Sequence, residues 1–172
     1  MNQLQTQIYQ VILAIIRIEG FPEYYKDHTI RYGVLNYVAK YSLAKDEYLI
    51  SKRAFEHLKL NGFLKQEELR RGLKSRRNGF TYEHPIPSNR ISSEIMKYRQ
   101  DEEMVAKILD WSDHIVVLTT EENNAIKDSG YQNKMPDGWE FFKDNIFARY
   151  KDSSLLEDDP SRRIKVYGQV CR

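Results

Sequence analysis

The chain has 172 residues, 30% of them charged, with a net charge of +2 and a single cysteine, Cys171. That length suits one domain, or a small domain with a lobe attached, and buries a core without disulfides; one cysteine offers neither a pairing partner nor a structural zinc cluster, so a reducing, cytoplasmic setting is expected. The longest apolar run, Ile8 to Ile18, is broken by Gln10 and Arg17, falls short of the roughly 20 residues a membrane span needs, and lacks the flanks of a signal peptide, so no membrane partner is expected.

Leu4, Ile8, Val11, Ile12 and Ile15 recur at three- and four-residue spacing, which predicts an amphipathic helix ending before Gly20-Phe21-Pro22. Ile30, Val34, Leu35 and Val38 repeat the pattern weakly. Ser51 then caps a third helix through Ala54, Phe55, Leu58 and Leu60, closed by Asn61-Gly62. Residues 1–62 therefore read as a helical N-terminal lobe.

From Phe63 the texture changes. A polar, basic stretch carries Gly72 and Gly79, and Phe80-Thr81-Tyr82 has the make-up of a strand. Pro85 and Pro87 lack an N–H, so ladder pairing cannot continue through them. Ile91, Ile95, Met96, Met104, Ile108, Leu109 and Trp111 lie on helical spacing and predict one long helix or two short ones. A strand follows at His114 to Leu118. Thr119 stands three residues before Glu122 in a capping-box pattern, starting a helix that runs to about Ser129-Gly130. Met135 to Trp139 reads as a turn, and Phe141 to Tyr150 as a short helix docked by Phe142, Ile146 and Phe147.

Glu83 and His84 are neighbours at the end of the first strand. A carboxylate is a hard oxygen ligand for a cation such as Mg²⁺, and imidazole, with an unperturbed pKa of about 6.5, is a base near neutral pH. Together they suit phosphodiester hydrolysis: His84 takes a proton from the attacking water while a metal ion stabilises the developing charge. Adjacent residues on a regular strand point to opposite faces; the prolines end the ladder, so the pair can turn toward one site. The bland alternative is a surface carboxylate beside a hydrogen-bonded imidazole.

Two features add to the pair. One is the helix start Leu118-Thr119-Thr120-Glu121-Glu122-Asn123-Asn124, followed by Lys127. Tyr82-Glu83-His84-Pro85-Ile86-Pro87 followed by this run resembles the HNH endonucleases, whose ββα-metal site places an acid-His pair on one strand and an Asn on the following helix. The nuclease domain of RNA-guided CRISPR effectors and small restriction-type proteins share this layout. The resemblance implies His84 as general base, Glu83 as metal ligand and an Asn as second ligand or phosphate positioner, with Mg²⁺ or Mn²⁺ as cofactor. A gap-free match selects Asn124. The helix wheel selects Asn123, which shares a face with Ile126, whereas Asn124 lies about 200° from Ile126. The match runs from Tyr82 to Lys134. It departs from the family in the inserted segment Ser88 to Asp110, in the lack of zinc-binding cysteines, and in the closing His or Asn, for which Asn133 and Lys134 are the candidates.

The other feature is basic. Arg70, Arg71, Lys74, Arg76 and Arg77 precede the strand and, with Lys127 and Lys134, could lie along a phosphate backbone, giving affinity without sequence information; a charge run is otherwise a solvated face. The expectation is an α+β chain: a helical lobe over 1–62, then an HNH-like ββα-metal core with an inserted helix and a C-terminal helical extension over 63–172. It would cut double-stranded DNA, with a homodimer or sequential nicks needed for both strands. The alternative from another class is a non-catalytic DNA-binding regulator, because Ser51 to Phe63 also resembles the end of a winged-helix unit.

Overall fold

A computed structural model of the chain describes residues 1–45, 47–60, 79–152 and 163–165. The chain is α+β, with eight helices and a four-stranded sheet among the described residues. Its contacts fall into two units, Met1–Lys45 with Ile86–Asp113, and Asp46–Pro85 with His114–Arg172.

The first unit is helical: α1 (Gln3–Ile16), α2 (Phe21–Tyr24), α3 (His28–Leu43), α5 (Ser88–Lys97) and α6 (Glu102–Trp111). Asn2 and Gln5 form a reciprocal capping box at the start of α1, whose apolar stripe buries Tyr9, Ile12, Leu13 and Ile16. α1 packs on α3, α3 on α5, and α5 on α6. The periodic segment beyond Pro87 resolves into two helices because Asp101 starts a new one, its side chain accepting from the Met104 N–H at 3.0 Å. A polar knot joins the helix ends. Asp113 accepts from Gln5 Nε2 at 2.8 Å and pairs with Lys45 at 2.9 Å, and Asn2 Nδ2 donates to the Ala44 carbonyl at 2.8 Å.

The second unit carries the sheet, with α4 (Lys52–Leu60) following β1 (Glu47–Ile50). β2 (Phe80–Glu83) and β3 (Val116–Thr119) pair antiparallel, Phe80 opposite Thr119 and Glu83 opposite Val116. β1 lies parallel to β3, and β4 (Arg163–Lys165) antiparallel to β1, giving the order β2-β3-β1-β4. α7 (Thr120–Asp128) starts directly from β3 and packs on both β3 and β2; α8 (Ala148–Asp152) comes later. Leu49, Val116, Leu118, Ile126 and Tyr150 form one buried cluster, with Tyr131 and Phe147 packed against it.

Several expectations change. Residues 1–62 are not wholly helical, because β1 pairs with β3 and carries α4 into the sheet unit, while Ile86–Asp113 joins the helices of the first 45 residues. The contacts thus divide the chain differently from a single boundary after residue 62. β3 begins at Val116 rather than His114. The segment expected as a helix from Phe141 is mostly turns, with Phe142 exposed at a positive φ of 65°, and only Ala148–Asp152 is helical. No described helix is long and apolar enough to cross a membrane. The basic run Arg70, Arg71, Lys74, Arg76 and Arg77 and the turn Asn61-Gly62 lie outside the described residues.

Candidate functional site

Glu83 is the last residue of β2, and His84 leaves the ladder ahead of Pro85. Tyr82, on the opposite face from Glu83, meets the Tyr48 ring edge to face at 5.6 Å. The Glu83 side chain is mostly buried, keeping 20% of its surface. Its Oε1 accepts from Arg149 Nη2. Burial pushes the carboxyl above its usual range, while Arg149 and, more weakly, Lys127 pull it down.

Arg149 organises this end of the unit. It is fully buried, and its five N–H donors all find acceptors. Nε donates to the Pro85 carbonyl at 2.8 Å. Nη1 donates to the carbonyls of Tyr131 at 2.9 Å and Gln132 at 3.3 Å. Nη2 serves Glu83 Oε1 and the His84 carbonyl. One guanidinium therefore ties the strand end to the loop that follows α7.

That loop is aimed by the way α7 ends. Gly130 adopts a φ of +78°, its N–H bonds to the Lys127 carbonyl, and the Tyr131 N–H reaches back to the Ile126 carbonyl at 3.0 Å. This is a Schellman turn, and the conformation favours glycine. The start of α7 is equally defined. Thr119 and Glu122 form the capping box, and Glu122 Oε2, buried, also accepts from Ser51 Oγ at 2.7 Å. Ser51 in turn caps α4 through the Ala54 N–H at 3.1 Å.

Along α7, Glu122 and Ile126 face inward, Asn123 is half-buried and Asn124 is exposed. Asn123 and Lys127 are one turn apart on the same flank. Lys127 is exposed in the last turn of α7. Lys134 is exposed, its Nζ over the Tyr131 ring at 5.8 Å, and Asn133 is exposed beside it.

His57 is exposed, edge-on to Phe80 at 5.1 Å, and His114 is half-buried, edge-on to Phe147 at 5.9 Å. Trp139 and Tyr150 are core, and Trp139 Nε1 donates to the Asn145 carbonyl at 2.9 Å. Arg149 is the residue that sequence reasoning passed over. Its only local signal is a cation between Phe147 and Tyr150, both of which serve the core.

No family model, curated protein or solved structure matches the chain.

Chemically, the strand end offers one oriented carboxylate and a neighbouring imidazole. Among the described residues no group of three His, Cys, Asp or Glu side chains could hold a metal ion. The donor set suits a hydrated hard cation, which takes one or two carboxylates and completes its shell with water and phosphate oxygens, rather than a tetrahedral zinc. Arg149 engages Oε1 of Glu83 and leaves Oε2 for such a partner. Its positive charge beside the carboxylate opposes a second cation there.

Proposed function

We propose that this chain is a metal-dependent endonuclease acting on double-stranded DNA, with the Glu83–His84 strand end as its site. What carries the reading is the ordered arrangement of β2, β3 and α7: an antiparallel pair running into a capped helix that packs on both strands. This order is compatible with the ββα layout that the sequence resemblance to HNH nucleases implies, with the segment Ser88 to Asp110 inserted between the strands.

A bound Mg²⁺ or Mn²⁺ would supply charge stabilisation at the scissile phosphate. Glu83 Oε2 is the ligand this chain offers, with Asn123 or Asn124 as the second. His84 accepts the proton of the attacking water through its imidazole. Lys127 and Lys134, together with Arg70, Arg71, Lys74, Arg76 and Arg77, contact phosphates and set affinity rather than sequence. One such site cuts one strand, so a double-strand break calls for a homodimer or successive nicks.

Incubation of the protein with supercoiled plasmid in Mg²⁺, Mn²⁺ or EDTA tests the proposal. Open circles that appear with either cation and are absent in EDTA are expected. Plasmid that stays supercoiled in all three sinks it.

The Glu83–Arg149 pair also favours a second reading. A buried arginine explains by itself why a carboxylate ends β2, which would leave a non-catalytic DNA-binding regulator. That reading requires salt-sensitive binding that survives EDTA and substitution of His84.

A further inference from the structure

We propose that Arg149 is the positioning residue of this site, fixing where the Glu83 carboxylate and the His84 backbone stand; the inference rests on the nuclease reading above. Three of the five acceptors of Arg149 belong to consecutive residues, Glu83, His84 and Pro85. This is where the chain loses its ladder: pairing with β3 ends at Glu83 opposite Val116, and Pro85 has no N–H. The carbonyls of His84 and Pro85 thus lie beyond the ladder, next to a buried residue, where carbonyls take donors from elsewhere in the protein. The guanidinium supplies those donors in one rigid plane, and the same plane holds Oε1 of Glu83.

Two consequences follow for the chemistry. A carboxylate held at Oε1 has its torsion fixed, so Oε2 presents one direction to a ligand. The remaining two acceptors, on Tyr131 and Gln132, bring the loop bearing Asn133 and Lys134 alongside the strand end. Lysine cannot substitute, because a single ammonium with three donors cannot reach five acceptors arranged around a flat fork. Arg149, fully buried, touches no substrate. It acts through Glu83 and His84, as outer partners of metal-binding carboxylates do.

The test compares wild type, Arg149→Lys and Arg149→Gln over a Mn²⁺ series, following nicking of supercoiled plasmid, with plasmid affinity measured in EDTA. Both variants are expected to lose about 10- to 100-fold in rate, with a higher Mn²⁺ requirement and unchanged affinity in EDTA. A merely structural role would not move the Mn²⁺ requirement of the folded fraction. Wild type that nicks alongside folded variants with the same rate and Mn²⁺ requirement overturns this inference alone; wild type that does not nick removes the nuclease reading and the inference with it. Should both variants fail to fold, the wild type decides. The Arg149 side-chain ¹H–¹⁵N signals are expected to shift during a Mg²⁺ titration with the midpoint seen for nicking, and signals that stay still while nicking turns on overturn the proposal.

Discussion

The Ser51 hydroxyl donates to the Glu122 carboxylate at 2.7 Å across 71 positions of sequence, and through that bond the cap of one helix is joined to the capping box of another. Ser51 Oγ accepts from the Ala54 N–H, while Glu122 Oε2 accepts from the Thr119 N–H at 2.8 Å. Both residues are buried, so the carboxylate charge has these donors in place of water. Ser51→Ala removes a cap and a charge-assisted bond together. It is expected to cost about 2–4 kcal/mol in urea unfolding, and a cost below about 1 kcal/mol, the ordinary value of a cap alone, would mean that the link between the caps contributes nothing.

The Glu83–Arg149 pair should behave as a buried ion pair. Removing either partner leaves the other charge without compensation, so Glu83→Leu and Arg149→Met are each expected to cost about 3–5 kcal/mol. The double variant should cost clearly less than the two together, measured by a double-mutant cycle in urea. Additive losses would show that the two side chains do not act as a pair.

Asp113 gives a pH signature. Burial pushes its carboxyl above the usual range, against the pull of Lys45 and Gln5 and with a further push from Asp110. A folded pKa above the unfolded one means that the native state binds the proton more tightly. The contribution is therefore fully present below the unfolded value of about 3.9 and is lost as pH rises through the folded value. Relative to Asp113→Asn, the wild type should gain stability as pH falls from 7 to about 4. Urea midpoints of the two proteins at both pH values check this, and a difference that stays constant or moves the other way contradicts it.

On α7 the two asparagines should separate. Asn123 is half-buried on the flank of Lys127, whereas Asn124 is exposed. If the strand end is a nuclease site, Asn123→Ala is expected to reduce nicking by about 10-fold or more, the scale of losing one polar contact to a transition state, with Asn124→Ala near wild type. The reverse order would select the residue that the gap-free family match picked.

Legibility in the sequence followed the range of the interaction. The capping box at Thr119 and Glu122, the Ser51 cap and the glycine stop at Gly130 are local, and each stands in the structure where its pattern put it. β1 escaped notice because Tyr48-Leu49-Ile50 is a short run buried on both faces, which shows no alternation. Arg149 escaped for a different reason. Its partners lie 64 to 66 positions upstream and 17 to 18 upstream, and nothing in the local order of residues says that these segments meet. The acid-His pair itself was legible as a motif. The guanidinium that holds its carboxylate was not.

If His84 is the base of a phosphodiester-cleaving site, nicking of supercoiled plasmid in Mg²⁺ or Mn²⁺ depends on its imidazole, and His84→Ala is the variant that decides it. The variant is expected to fold and to bind plasmid as the wild type does while losing about 100-fold or more of the wild-type rate, the contribution of a general base. Equal nicking by the variant and the wild type would show that His84 is not the base.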